Sequence, residues 1–213
     1  MARKTGCWRG IGDAAPYVPG LPPGVPRFRS LRALFESMAC CTRCELAPGR
    51  TQVVRGMGAS DARLMLVGEA PGAREDREGR PFVGQAGRLL DALLAANGIP
   101  RDEVFITNVV ACRPPANRTP KAREVAAHAP WLEEQLRLVR PDLLVTLGRI
   151  ALACFLRRAR ITRIRGTVQA IERDGRTIPL LPLLHPAAIL RNRRQLLPAM
   201  EADFRKIREL LGY

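Results

Sequence analysis

Aromatic residues, histidines and long apolar runs are all scarce in this chain of 213 residues. Phe, Trp and Tyr together make up 5% of it, and only two histidines occur, His128 and His185. No apolar stretch approaches the roughly 20 residues that cross a bilayer. The first ten residues, MARKTGCWRG, lack the apolar middle of a signal peptide. We therefore expect a soluble, cytoplasmic protein that does not interact with membranes.

Two nucleotide-binding motifs are also absent. The glycine-rich stretch GEAPGAREDREGRPFVGQAG, residues 68–87, contains neither GxxxxGK[ST] nor GxGxxG. It follows directly on the apolar run 64–67, which is typical of a strand that ends at a loop approaching a ligand closely. Phe82 lies on this loop, where it either caps a pocket or packs in the core.

Acidic residues are outnumbered, with 20 Asp and Glu against 35 Lys and Arg and a formal net charge of +15. The surplus is concentrated in RRARITRIR (157–165) and RNRR (191–194), and neither stretch contains an acid. Such a surplus predicts a polyanion as partner. The alternative is an arginine-rich composition with solvated faces. An acidic lipid surface is disfavoured because neither stretch has a matching apolar helical face.

Six cysteines occur, and a cytosolic location argues against disulfides between them. The CxxC motif formed by Cys41 and Cys44 therefore indicates metal binding or redox chemistry.

Composition and periodicity predict an arm followed by one domain. Residues 1–29 are rich in Pro, Gly and Arg, which predicts a flexible arm, and residues 30–213 form the domain. Strands and helices alternate along the domain, with Thr119 as the N-cap of the second helix. They are predicted in chain order at 63–67, 86–98, 104–110, 120–139, 142–148 and 149–156, followed by a hairpin at 166–181 and a helix at 196–211.

This alternation predicts the α/β class, with a mainly parallel central sheet and helices on both faces. Ligands of such sheets bind at the carboxyl ends of the strands. Three loops meet that condition, and they begin at Gly68, Asn108 and His185.

Three segments in this order and spacing resemble the signatures of the family 4 uracil-DNA glycosylases. They are VGEAPGAREDREGRPFVGQAGRLL, ITNVVACRPPANRTP and LLHPAAILRN, and ACCTRCELAPGRTQVV is similar to the cysteine-bearing lead-in of the family. The resemblance runs from about residue 31 to the end. It implies a three-layer α/β/α sandwich and a hydrolase that removes uracil from DNA in base-excision repair.

A glycosylase of this kind flips the base out of the duplex into a pocket. The Asn108 amide would donate to uracil O4 and accept from N3–H, and cytosine would leave these groups unpaired. Phe82 would stack on the ring, and the Gly68 turn would bring backbone against base and sugar. His185 would donate to O2 and stabilise the leaving anion. The structural alternatives are an Asn that caps a strand end and an ordinary loop histidine.

A carboxylate near the sugar would stabilise its positive charge or orient water. Glu69 fits by position, and Glu75 is the second candidate. Two apolar side chains, Ile189 and Leu190, would fill the space that the base leaves, although ordinary helix packing is the alternative. Arginines would hold phosphates; the candidates are Arg191, Arg193 and Arg165.

The family carries a [4Fe–4S] cluster on four cysteines in the pattern CxxC, a long gap, C, fifteen residues, C. Cys41, Cys44 and Cys112 take the first three places, and His128 takes the fourth. Three thiolates and one imidazole can hold an iron–sulfur cluster or a zinc ion. Alternatively, the cluster is lost and His128 is a helix-face residue, or Cys40 or Cys154 substitutes.

The resemblance thus favours a monomeric uracil-DNA glycosylase that acts on uracil-containing DNA in the cytoplasm, at the nucleoid. One alternative is a relative that binds uracil-containing or single-stranded DNA without efficient cleavage. A second alternative is a basic protein whose structure is stabilised by a bound zinc ion and which has no pocket for a base.

Overall fold

The computed structural model describes residues 27–213. The predicted arm, residues 1–29, therefore lies outside the described residues except for its last three positions. None of the helices in the described part combines the length and apolar character needed to cross a bilayer.

Five strands form one sheet in the order β2-β1-β3-β5-β4. Strands β2, β1, β3 and β5 are parallel, and β4 pairs with β5 in the antiparallel direction. Every residue of the first three strands is buried, as expected for a parallel sheet that is covered on both faces. The strands are β1 Leu64–Gly68, β2 Val104–Asn108, β3 Leu143–Leu147, β4 Gln169–Arg173 and β5 Arg176–Leu183.

Helices cover both faces of this sheet. Along β1, Leu64 and Leu66 pack into a core cluster with α3, α7 and α8, whereas Met65 and Val67 pack into a second cluster with α4 and α5. This alternation follows from the two-residue period of a strand. The predicted three-layer α/β/α sandwich is confirmed. Within the described residues the helices are α1 Leu31–Ala39, α2 Ala73–Glu78, α3 Gln85–Ala96, α4 Ala122–Val139, α5 Arg149–Phe155, α6 Ile161–Ile164, α7 Pro186–Arg191 and α8 Arg193–Leu211.

Several element boundaries differ from the prediction. Helix α4 begins at Ala122 and not at Pro120, because the Glu124 carboxylate accepts from the Lys121 backbone N–H at 2.7 Å and makes Lys121 the N-cap. Three short helices, α2, α6 and α7, differ from the predicted elements, and α2 and α7 contribute residues to the lining of the site. The predicted hairpin is present, with Asp174 and Gly175 at its turn.

Candidate active site and metal centre

A cavity of about 320 Å³ opens at the carboxyl edge of the sheet. It lies where β1 and β2 end and where β5 leads into α7, so the parallel topology brings together three loops that are distant in sequence. Six residues singled out by the sequence line it: Glu69, Glu75, Phe82, Asn108, His185 and Arg191.

Asn108 is the last residue of β2, and 5% of its surface is exposed. Its side-chain oxygen has no hydrogen-bond partner among the described residues, although it is buried. Gly68 is its register partner on β1, and a Cβ at Gly68 would overlap Asn108 Oδ1 and lie 2.6 Å from Phe82 Cζ. Gly68 therefore permits the amide and the ring to approach each other, and an unpaired amide oxygen remains at the cavity.

Phe82 is buried and has a left-handed backbone, with φ of 54°. Its ring centroid lies 5.7 Å from that of His185, with the planes inclined by 31°. The Glu75 carboxylate holds the loop around Phe82, because it accepts from the backbone N–H groups of Gly72, Val83 and Gly84 at 3.2, 3.0 and 2.8 Å. Both Glu75 oxygens are thus engaged by main chain. Glu75 therefore organises the loop around Phe82, and its role as the second candidate carboxylate near the sugar stays a prediction.

His185 is the N-cap of α7, and its Nδ1 accepts from the backbone N–H of Ala187 at 3.2 Å. An accepting Nδ1 leaves Nε2 as the ring nitrogen that carries the proton. Burial, helped by the nearby Arg191 charge, lowers the pKa of His185 to about 4, while Glu75 acts in the opposite direction. The imidazole is therefore neutral at physiological pH and has one N–H to donate.

Glu69 follows β1 directly and is half-buried at the cavity wall. Burial raises the pKa of its carboxyl above the usual value, whereas Arg149, a hydrogen bond from Thr119 and Arg191 oppose that shift. The carboxylate thus lies in a partly desolvated position with positive charge nearby.

Two of the residues predicted to contact DNA, Ile189 and Arg165, are engaged in contacts within the protein. Ile189 has no exposed surface, because the inner face of α7 packs against α3 and the core, so the prediction that it inserts into DNA is wrong. Arg165 donates to the Asp203 carboxylate at 2.6 Å and to the Ala199 carbonyl, which ties it to α8 instead of leaving it for phosphate. Leu190 is 37% exposed, and Arg193 is also exposed.

The sequence analysis predicted that the loop after β2 contributes to the site, but it missed three residues of that loop. Pro114, Asn117 and Arg118 line the same cavity. Arg118 donates with both terminal nitrogens to Glu124, at 2.9 and 2.6 Å. This pairing is a contact between side chains six residues apart, and no local sequence pattern signals it.

Three of the four predicted metal ligands converge about this loop and α4. The ligand atoms of Cys44, Cys112 and His128 lie within 4.8 Å of one another. His128 Nδ1 donates to the Glu124 carbonyl at 2.8 Å, while its buried Nε2 has no hydrogen-bond partner within residues 27–213. Metal-bound histidines are typically held in this way, with one nitrogen on a carbonyl and the other on the ion. The donor set fits a metal or cluster.

The side chains of Cys44 and Cys112 are joined by a hydrogen bond, which shifts the pKa of both thiols. Burial lowers the pKa of His128 to about 4, so its ring is neutral. A hydrogen bond with Cys112 lowers the pKa of Cys44 to about 7, and the same contact raises the pKa of Cys112. Arg50 Nη1 lies 3.3 Å from Cys112 Sγ, a position that suits a thiolate.

Cys41 does not join this group, because its Sγ accepts from Trp131 Nε1 at 3.4 Å. It nevertheless belongs to the same CxxC motif as Cys44 and lies three residues before it in the chain. The substitutes weighed from the sequence are not brought to the group. Cys40 is exposed, and Cys154 is buried in the cluster between the sheet and α5.

Comparison with known proteins shows extensive similarity to one group. Residues 55–212 match the model of the Uracil DNA glycosylase superfamily. The chain is 42% identical over 188 residues to the type-4 uracil-DNA glycosylase of Archaeoglobus fulgidus, covering 86% of this chain and 94% of the relative. The type-4 enzyme of Thermotoga maritima is 46% identical over 165 residues, or 76% of this chain and 84% of the relative. A type-5 enzyme of Thermus thermophilus matches over a shorter span, 119 residues at 41% identity, which is 48% of this chain and 53% of the relative.

Proposed function

Because the chain belongs to the type-4 uracil-DNA glycosylases of the Uracil DNA glycosylase superfamily, we propose that it hydrolyses the N-glycosidic bond of uracil in DNA and leaves an abasic site. The observation that carries the proposal is the convergence of Asn108, Phe82 and His185 on one cavity. These residues come from three different loops, and together they offer an amide, an aromatic face and a neutral N–H donor.

Recognition begins when uracil leaves the duplex and enters the cavity. The Asn108 amide donates to O4 and accepts from N3–H, which satisfies the side-chain oxygen that is otherwise unpaired. Cytosine has the reverse pattern of donor and acceptor and would leave buried polar atoms unpaired, at a cost of about 1–3 kcal/mol per group. Phe82 supplies the stacking surface, and Glu75 holds the loop that carries it.

Bond cleavage separates charge between the two products. The C1′–N1 bond breaks with its electron pair on uracil, the His185 Nε2–H donates to O2 of the resulting anion, and the Glu69 carboxylate faces the sugar cation. Water then adds to C1′ and gives up a proton, which balances the uracil anion. The partial burial of Glu69 strengthens its attraction for the cation, since charges interact more strongly away from bulk water.

The test is an oligonucleotide containing one uracil, opposite A, opposite G or unpaired, incubated with the protein and then with alkali. We expect strand scission at the uracil that depends on protein concentration and is strongly reduced by Asn108→Ala and by His185→Ala. Binding without scission by the wild-type protein would contradict the proposal and support a non-cleaving relative.

Gly68→Ala tests whether activity requires the close approach of the Asn108 amide and the Phe82 ring to the backbone of Gly68. The added methyl group would displace the Asn108 amide or the Phe82 ring, and a shift of about 1 Å in such a site costs about 10²-fold in kcat/KM. We expect that loss in uracil release together with a lower melting temperature, because the added methyl group overpacks a buried strand end. Gly49→Ala is the matched control, because a Cβ there meets no atom within 4 Å. Equal activity of the two variants would contradict the assignment.

We also propose that Cys44, Cys112 and His128, with Cys41 completing the set after turning from Trp131, hold a [4Fe–4S] cluster. The orphaned Nε2 of His128 and the guanidinium of Arg50 beside Cys112 support a bound, negatively charged centre. Such a centre would join the segment after α1, the loop after β2 and helix α4. Its contribution is structural, and the residues around the base perform the chemistry.

Metal analysis of anaerobically purified protein checks this assignment. We expect about four irons and four sulfides per chain and a visible absorbance band that His128→Ala abolishes. His128→Cys should retain the band and lower the reduction potential, because imidazole ligation raises the potential relative to thiolate. One equivalent of zinc without iron would contradict the cluster and leave the zinc alternative.

Leu190 and Arg191 are exposed residues of α7. Leu190 is exposed on α7, and Arg191 lines the cavity. We propose that Leu190 fills the gap left by the flipped base, while Arg191 and Arg193 hold phosphates. The protein would act as a monomer on chromosomal DNA at the nucleoid.

A further inference from the structure

The loop after β2 forms one rim of the cavity and has a strained backbone. Ala116 and Asn117 are consecutive residues with φ of 52° and 54°, a conformation that residues with a Cβ adopt at an energetic cost. Arg113 Nε donates to Asn117 Oδ1 at 2.9 Å within the loop. A strained loop of this kind persists only where its surroundings hold it.

Arg118, the next residue, provides that anchor. Its two terminal nitrogens donate to the carboxylate of Glu124, which has no exposed surface, at 2.9 and 2.6 Å. Its Nη2 also lies 3.8 Å from Glu45. Two-point pairing of a guanidinium with a carboxylate fixes orientation as well as distance. Arg118 therefore holds the end of the strained loop in one place.

The two carboxylates that hold Arg118 each adjoin a predicted metal ligand. Glu45 follows Cys44 in sequence. Glu124 precedes His128 by one helical turn, and its carbonyl accepts from His128 Nδ1. Glu45 also binds Lys121 at 2.8 Å, which ties the segment after α1 to the start of α4. The anchor of the cavity rim and the metal centre thus share the same two segments.

We propose that Arg118 is a positioning residue through which the metal centre sets the shape of the cavity rim. The inference rests on the proposed glycosylase function and extends it. With the centre in place, Glu45 and Glu124 hold Arg118, and the loop keeps Asn117 against the flipped nucleotide. Once the anchor is lost, the strained residues relax and substrate binding weakens. Bond cleavage is unaffected, because His185 lies on another loop and the sheet fixes Asn108 as the last residue of β2.

The closing experiment compares two buried carboxylates of the same helix. Glu124 and Glu134 both have fully buried side chains, and each pairs with an arginine, Arg118 and Arg137 respectively. We expect Glu124→Gln to raise KM for a uracil oligonucleotide about tenfold, with kcat within about twofold and unchanged iron content. Glu134→Gln should lower the melting temperature comparably and leave KM unchanged. A merely structural role for Glu124 would make the two variants behave alike.

Two further variants make the outcome decisive. Glu45→Gln changes a partly exposed side chain that the fold tolerates, and we expect KM to rise about threefold; it replaces Glu124→Gln if that variant fails to fold or loses iron. The double variant His128→Ala with Glu124→Gln should have the same KM as His128→Ala, because each change alone already frees Arg118 from its position. Unchanged KM in the carboxylate variants, or additive effects in the double variant, would overturn the inference. Wild-type protein without uracil release would instead overturn the glycosylase proposal.

Discussion

His185→Ala is expected to lower kcat for uracil release by about 10²–10³-fold, the usual loss when one donor to a developing anion is removed. KM should change little, because the hydrogen bond to O2 strengthens mainly as the bond breaks. Single-turnover release from a uracil oligonucleotide measures the effect. His185→Gln, whose amide N–H can still donate, should recover part of the rate. A loss seen in KM alone would contradict the proposed role.

The pH dependence follows from the environment of the same ring. Because the pKa of His185 is about 4, wild-type activity should show no inflection near 6.5, where an ordinary histidine titrates. In the unfolded chain His185 binds a proton below about pH 6.5, whereas in the folded chain it does so only near pH 4. The free energy of unfolding therefore decreases as the pH falls from about 6.5 to about 4. His185→Ala should therefore reduce the slope of melting temperature against pH between about 4 and 6.5.

The parts of the site that could be predicted lie at strand ends. Asn108 and His185 each follow an apolar run, and a parallel sheet must bring such ends to one edge. Gly68 and Phe82 belong to a loop whose glycines already indicate close approach. The fold class follows from the same alternation of strands and helices, which the structure confirms.

What could not be predicted depends on contacts between distant segments. The sequence makes Glu75 a second candidate for the carboxylate near the sugar, yet in the structure it supplies the acceptor for three backbone N–H groups. The sequence makes Ile189 a candidate for insertion into DNA because it is apolar and adjoins arginines, but Pro186 starts a helix whose inner face packs on the core. The role of Arg118 depends on a left-handed loop that no local pattern signals.

Asn108→Ala is expected to reduce kcat/KM for uracil by about 10³-fold. The variant loses the donor to O4 and the acceptor for N3–H, each worth about 1–3 kcal/mol in a buried site. It should also narrow the preference for uracil over cytosine, because the methyl side chain distinguishes neither edge. Release of both bases from matched oligonucleotides measures the ratio.

The matched control is Asn97→Ala. Asn97 is equally buried, but its Nδ2 donates to the Leu93 carbonyl at the end of α3, away from the cavity. This variant should lose stability and keep both the rate and the base preference. If Asn108→Ala kept the wild-type preference for uracil, the amide would have no part in reading the base. The unpaired Oδ1 at the cavity would then need another partner, because a buried carbonyl oxygen without one is costly to the fold.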